Sequence, residues 1–446
     1  MSVFEVAGGK ELKGTITSSG NKNEALPLIA ASLLSESSVV FTNFPDIGDV
    51  KGMLEIASEL GAEYTGMKQG RLEIQWPDIK SSTLPVELSA MIRGSILFAS
   101  SLLVRTKKAV IPKPGGDKIG RRRLDTHLLV FEALGAETEV KTIESESGIR
   151  HEVYELTAKG SLIGSDIHLD EASVTATENA VIAASGAKGK TVIWNAASEP
   201  HVQGLCRYLR SSGIEISGVG SNVLTVHGKR ECCSTEHRIG SDYIETASFI
   251  SLAAATRSSI TIKNTDPQHL RMILFQFNRL GIEVDIDYNQ KALTVRNEKE
   301  LVLKNDLGGG VPKIEDSPWP GFPADLTSII LVTALFSKGT CLIHEKMFES
   351  RLFFVDHLIG MGARIVLCDP HRAVIVGPNS LYGKSISSPD IRAGMALLIA
   401  ALAAEGSSRI SNIKQIDRGY ENIDQRLRSL GADIKRINAR RRSDDR

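Results

Sequence analysis

A glycine corner that recurs six times is the feature that most limits how this 446-residue chain can fold. The corners are Leu60-Gly61-Ala62, Leu134-Gly135-Ala136, Ser212-Gly213-Ile214, Leu280-Gly281-Ile282, Met361-Gly362-Ala363 and Leu430-Gly431-Ala432. They are spaced by roughly 70 to 80 residues, a supersecondary unit rather than a short solenoid repeat. Each fits a helix C-terminus: glycine takes the left-handed cap and a β-like run follows. Ala136-Glu-Thr-Glu-Val and Ile282-Glu-Val-Asp-Ile alternate in polarity as strands do. Upstream of each corner lies an apolar segment, such as Ala25–Leu34 or Ala396–Ala404, then a short strand such as Ser259-Ile-Thr-Ile-Lys-Asn. One unit reads helix, strand, helix, strand, strand. The chain is too long for one compact core, so the six units divide three and three.

What precedes each apolar helix is informative. The segments are Ser18-Ser-Gly-Asn-Lys22-Asn23, Ser89-Ala-Met-Ile-Arg93, Ser173-Val174-Thr175-Ala-Thr-Glu178-Asn179, Ser241-Asp242-Tyr-Ile-Glu245, Phe322-Pro-Ala-Asp325 and Ser388-Pro-Asp-Ile-Arg392. All six carry polar or charged residues at the same phase. Equivalent helices in pseudo-symmetric units present their N-termini in equivalent places, and helix N-termini favour anions. Lys22, Arg93 and Arg392 add a cation. The plainer reading is six unrelated N-caps.

Composition excludes several classes. Hydrophobic residues make up 42% and charged residues 24%, as in ordinary globular proteins. The 53 basic and 53 acidic residues balance, which argues against a broad nucleic-acid or anionic-membrane surface. The five cysteines (Cys206, Cys232, Cys233, Cys341, Cys368) have no metal-site spacing and read as reduced thiols. No histidine pair has zinc spacing. The start carries no signal pattern and no apolar run reaches the roughly 18 residues of a spanning helix, so the cytoplasm is the expected compartment. Arg440-Arg-Arg-Ser-Asp-Asp-Arg reads as a solvated tail. No Gly-x-Gly-x-x-Gly follows a strand, which removes a dinucleotide oxidoreductase.

The sequence resembles a known family in Ser19-Gly-Asn-Lys22-Asn23, Gly115-Gly116-Asp117 through Arg122-Arg123-Leu124-Asp125-Thr-His127, Ala176-Thr-Glu178-Asn179, Phe322-Pro-Ala-Asp325, Phe348-Glu-Ser-Arg351, Asp390-Ile-Arg392 and Ile416-Asp-Arg418-Gly-Tyr420-Glu421. These motifs, in this order, look like the UDP-N-acetylglucosamine enolpyruvyl transferases of peptidoglycan precursor synthesis, from about residue 7 to residue 436. The resemblance implies an α/β fold of two inside-out α/β barrel globular domains built from six pseudo-symmetric repeats. One domain would hold 22–240 with the catalytic loop 111–123, the other 1–21 plus 241–446, with the active site in the cleft between them. It implies phosphoenolpyruvate and UDP-N-acetylglucosamine as substrates, no cofactor, no metal, and no obligate protein partner.

The implied chemistry is addition followed by elimination. A sugar hydroxyl attacks C2 of phosphoenolpyruvate while C3 takes a proton; phosphate and a C3 proton then leave. That needs a cationic cradle, a base for the hydroxyl and an acid above C3. By resemblance Lys22, Arg122, Arg351, Arg392 and Arg418 contact phosphoenolpyruvate or the leaving phosphate, and Arg93 falls at a cleft arginine. Arginine forks suit both anionic groups. The resemblance makes Asp325 the base near the sugar 3-hydroxyl, a role compatible with an N-cap. It places Asn23, Arg123, Leu124, Asp125, His127, Ser173, Val174, Thr175 and Phe348 at the substrate, with Asp125 facing uracil.

The loop 111–123, with three glycines, two prolines and five basic residues, reads as a lid that closes on anions. Asp117 stands where most relatives carry cysteine. A free aspartate is ionised at neutral pH, so as the C3 acid it must be proton-loaded, against the pull of Lys118 and Arg121–Arg123. Fosfomycin alkylates that cysteine in relatives, so insensitivity is expected here. Other departures gather at the nucleotide end: Arg123 for proline, Glu171 for lysine, Tyr243 for arginine, Leu97 for tryptophan and Gln415 for histidine. Enolpyruvyl transfer to a UMP-type nucleotide or shikimate 3-phosphate, and a non-catalytic UDP-sugar-binding paralogue, stay open on the sequence.

Overall fold

The computed structural model describes residues 2–67, 70–117, 119–120, 122–144, 148–228, 233–296 and 299–438. Lys118, Arg121, Cys232 and the basic C-terminal run lie outside them. The chain divides into two compact units. One is Gly20–Asp117 with Arg122–Gly240; the other is Met1–Ser19, Lys118–Arg121 and Ser241–Arg446.

All six corner glycines have positive φ, from +86° at Gly281 to +113° at Gly61. A side chain is strained there, which explains one residue type at six equivalent helix ends.

In the Gly20–Gly240 unit, three apolar helices, Lys22–Ser32, Phe98–Thr106 and Val174–Ser185, lie inside three sheets. In the other unit the helices are Tyr243–Ala255, Thr327–Ala334 and Ile391–Ala403. All residues of Tyr243–Ala255 and Thr327–Ala334 are buried. A helix that is apolar all round must be enclosed, and the sheets enclose it: along Ser259–Lys263, Ile260 and Ile262 are buried while Ser259 and Lys263 are exposed. The amphipathic helices that end at the corners, such as Pro200–Ser211, bury one face. Each unit has its own apolar core, one around Leu28, Phe41 and Phe131 and one around Phe249, Leu331 and Leu398.

Five of the six sheets have four strands. In each, a short strand pairs in parallel at one edge, as Asp166–His168 does with Gly189–Trp194. The sixth, built from Lys108–Pro112, Arg150–Ala158 and Ala136–Glu144, has only the isolated parallel bridge Thr83↔Val110 in that place. Ser2–Ala7 sits between Ser407–Ser411 and Asp433–Asn438, and Lys13–Thr17 joins Ser259–Lys263. The first residues of the chain thus complete two sheets of the C-terminal unit. Among the described residues no helix is long and apolar enough to cross a membrane.

Candidate active site

The helix N-termini carry the candidate residues, and four of the six are capped by their own polar side chain. Asn21 caps Lys22–Ser32, Ser173 caps Val174–Ser185, Asp242 caps Tyr243–Ala255 and Asp390 caps Ile391–Ala403. The other two enter through 3₁₀ turns, Arg93–Leu97 and Ala324–Leu326, with no side-chain cap. Arg93 and Asp325 sit in those turns. Asp325 is therefore no N-cap, and its carboxylate is turned to other work.

In the Gly20–Gly240 unit, Lys22 is buried at 8% exposure with Nζ 2.9 Å from Asp49 Oδ2. The half-buried Asn23 follows it. Arg93 Nη2 donates to the carbonyl of Arg123 at 2.7 Å. Burial, and then the nearby Arg122 guanidinium, push the pKa of Arg93 down to about 10. The loop rests on this segment: Gly115 N–H donates to Ser89 O at 3.0 Å. A Cβ at Gly115 would meet Ala90 O at 1.6 Å, so only glycine lets the chain lie so close. Gly116 has φ +104° and lies against Arg93, with the Arg122 guanidinium next to it. Asp117 follows, half-buried. Residues 119–120 group with the other unit, where Ser350 N–H donates to Ile119 O at 3.1 Å.

Beyond the loop, Arg123 Nε reaches Asp125 Oδ2 at 2.9 Å and Arg123 Nη2 lies 3.4 Å from Asp170 Oδ2. Thr126 Oγ1 donates to Asp170 Oδ1 at 2.6 Å. Leu124 is buried, while Arg123 and Asp125 are exposed. His127 is 1% exposed. Desolvation, then Arg93, depress its pKa to about 3, so its ring is neutral. The Asn179 amide donates to Nδ1 at 2.8 Å and to Ile96 O at 3.1 Å. The proton therefore sits on Nε2, 3.2 Å from Thr175 Oγ1. His127, expected at the substrate, thus has both ring nitrogens engaged, by Asn179 and by Thr175. Ser173, Val174 and Thr175 form the partly exposed first turn of their helix.

In the other unit a carboxylate collects arginines. Asp325 Oδ1 accepts from Arg351 Nη2 at 2.7 Å, and Asp325 Oδ2 from Arg392 Nη2 at 3.3 Å and Nε at 3.4 Å. Both arginines are almost fully buried, while the Asp325 side chain keeps 30% exposure. Burial works against the Arg392 charge, but Asp325, with Tyr420 and Asp242, outweighs it and raises the pKa. Arg392 also lies over the Tyr420 ring at 5.7 Å and donates to its hydroxyl at 3.4 Å. Arg351 lies over Phe348 at 5.1 Å. Arg418 Nη1 donates to Gln415 Oε1 at 2.8 Å. Among the described residues no group of His, Cys, Asp and Glu has metal-site geometry.

The comparisons agree with this architecture. A family model described as EPSP synthase (3-phosphoshikimate 1-carboxyvinyltransferase) matches residues 6–427. A UDP-N-acetylglucosamine 1-carboxyvinyltransferase of Treponema denticola is 53% identical over 98% of this chain and 99% of its own length. Enzymes of that name from Borreliella burgdorferi and Bradyrhizobium diazoefficiens are each 49% identical, with the same coverage. The chain belongs to the UDP-N-acetylglucosamine 1-carboxyvinyltransferases, within the EPSP synthase family.

The crystal structure of the enolpyruvyl transferase NikO from Streptomyces tendae covers 98% of this chain with a TM-score of 0.84 at 23% identity. An EPSP synthase from Acinetobacter baumannii covers 98% with 0.71 at 18%. Both share the carboxyvinyltransferase fold of two inside-out α/β domains. Sequence reasoning missed the partners of the carboxyvinyltransferase cations. Asp49, Glu345 and Asp316 lie outside every helix N-terminus where charge was sought. Their one signal is burial: Asp49 and Glu345 fall next to apolar positions of a helix and a strand end.

Proposed function

We propose that this chain transfers the enolpyruvyl group of phosphoenolpyruvate to the 3-hydroxyl of UDP-N-acetylglucosamine and releases phosphate, in peptidoglycan precursor synthesis in the cytoplasm. The observation that carries the reading is the 53% identity to a UDP-N-acetylglucosamine 1-carboxyvinyltransferase along the full length of both chains. The geometry supports it: a partly exposed carboxylate held by two buried arginines supplies an ionised base beside two anion-binding forks.

Asp325 takes the proton of the sugar hydroxyl as its oxygen bonds to C2. Asp117 delivers a proton to C3 from its carboxylic acid form. In the second stage the C2–O bond to phosphate breaks, C3 loses a proton, and the double bond forms. Lys22, Arg93, Arg122, Arg351, Arg392 and Arg418 hold the carboxylate and phosphate of phosphoenolpyruvate. Positive charges already crowded together, as Arg93 and Arg122 are, gain most from an arriving dianion. Asn23, Arg123, Leu124, Asp125, Ser173, Val174, Thr175 and Phe348 contact the nucleotide sugar, with His127 acting through Thr175.

The test is phosphate release from phosphoenolpyruvate with UDP-N-acetylglucosamine, UMP or shikimate 3-phosphate as acceptor. Turnover with UDP-N-acetylglucosamine at a kcat/KM at least about a hundredfold above the others is expected. Preference for UMP or shikimate 3-phosphate, or binding of the UDP-sugar without phosphate release, overturns the reading.

A further inference from the structure

Behind Arg351, on the side away from solvent, lie two buried carboxyls that the reaction itself does not use. Glu345 ends the strand Gly339–His344 and is 0% exposed; Asp316 follows the strand Lys313–Glu315 and is 1% exposed. Asp316 lies close enough to Glu345 for its charge to raise the pKa of the Glu345 carboxyl. Two buried carboxyls this near one another resist ionising together. Together they fasten the turn that leads to Arg351. Asp316 Oδ1 accepts from Lys346 N at 2.5 Å and Asp316 Oδ2 from Met347 N at 3.3 Å; Glu345 Oε1 accepts from Phe348 N at 3.2 Å.

One contact is left open. Glu345 Oε2 and Arg351 Nε are both buried, neither has a hydrogen-bond partner, and they face each other at 3.9 Å. A buried donor and acceptor left this way cost free energy that a small shift would recover. Arg351 meanwhile gives Nη2 to Asp325. Its guanidinium thus stands between a carboxylate at the front and a carboxyl at the back.

We propose that Glu345 is a positioning residue for enolpyruvyl transfer: as a neutral acid it leaves the Arg351 charge to Asp325 and phosphoenolpyruvate, and as an anion it closes the open contact and draws Arg351 onto its own Oε2. This rests on the reading of Arg351 as a phosphoenolpyruvate ligand. The surroundings favour the neutral form. Burial first pushes Glu345 up to about 8, Asp316 adds to it, and Arg351 opposes it. The His371 ring meets only the Glu345 backbone carbonyl, at 2.8 Å, and the Lys346 side chain is turned to Glu315 at 3.3 Å.

The experiment is the pH dependence of KM for phosphoenolpyruvate and of kcat, from pH 6 to pH 10 at saturating acceptor. In the natural protein KM rises above about pH 8 by up to tenfold per pH unit, with kcat changing less. Glu345→Gln, neutral at every pH and of the same shape, removes the rise and keeps the low-pH KM within about threefold. Asp316→Asn takes away the neighbouring anion and moves the rise to lower pH. A Glu345→Gln enzyme whose KM rises with pH as the natural one does overturns the proposal, as does an unmoved rise in Asp316→Asn. A purely structural role lowers activity equally at all pH values and is separated by that. Absence of turnover with any acceptor is instead the failure of the proposed function. The positioning role is then read from the pH dependence of phosphoenolpyruvate binding to the same variants by calorimetry.

Discussion

The two units have the same plan, three buried, largely apolar helices inside three sheets, yet the charges near their helix N-termini are partnered differently. In the Gly20–Gly240 unit Lys22 pairs with its own carboxylate, Asp49, while burial, and then the nearby Arg122 guanidinium, push the pKa of Arg93 down to about 10. In the other unit cations are set around an anion, with Arg351 and Arg392 both on Asp325. The first unit gives its cations separate surroundings, one paired and one desolvated; the second gathers two guanidinium groups on one carboxylate. On the proposed function the first serves as an anion receptor and the second as a base. Arg93 sits in the 3₁₀ turn of one unit and Asp325 in that of the other.

The sharpest way to break this comparison is to remove the base. Asp325→Asn keeps the shape and loses the charge, and phosphate release should fall by about 10²–10⁴-fold with UDP-N-acetylglucosamine binding retained. A loss below tenfold would return Asp325 to an arginine tether. On the receptor side, Asp117→Ala should cost about 10²-fold or more, while Asp117→Cys should keep turnover and gain inactivation by fosfomycin. The natural enzyme should survive fosfomycin; rapid stoichiometric loss of activity with an adduct on Asp117 contradicts its role as an acid that resists alkylation.

Stability separates the units next. Arg392→Met removes a fully buried cation from Asp325 and Tyr420. It should cost about 2 kcal/mol, less than for a wholly buried pair, because Asp325 keeps Arg351 and some solvent. Arg122→Met, at a half-buried site, should leave thermal stability unchanged within about 0.5 kcal/mol, while KM for phosphoenolpyruvate rises tenfold or more. Equal thermal shifts for the two variants would erase the distinction. The smallest effect belongs to what the units share. Gly135→Ala, at φ +92° with open space around its Cβ position, should cost only about 1 kcal/mol by thermal or urea unfolding and leave kcat untouched.

Much of the architecture could be read from residues alone. Glycine at a left-handed helix end has no cheap substitute, so Gly61 through Gly431 mark the repeat directly. Helices as apolar as Tyr243–Ala255 can only lie inside. The candidate cations stood out because they precede those helices. Partnership was harder to read. Lys22 with Asp49 and Arg351 with Glu345 pair residues from different elements of a repeat, and no local period connects them. His127 is similar: its motif position was legible, but not that its ring is buried between Asn179 and Thr175.

By itself, then, the sequence determined the repeat, the inward helices, the family and the reaction class, because these rest on backbone conformation, hydrophobic periodicity and ordered motifs. Only the tertiary structure decided which charges neutralise and which crowd, that Asp325 is held by two arginines rather than capping its helix, and that a carboxyl pair waits behind Arg351. Those outcomes depend on distances of a few ångströms and on burial, which set the strength and sign of an electrostatic interaction and are written nowhere along the chain.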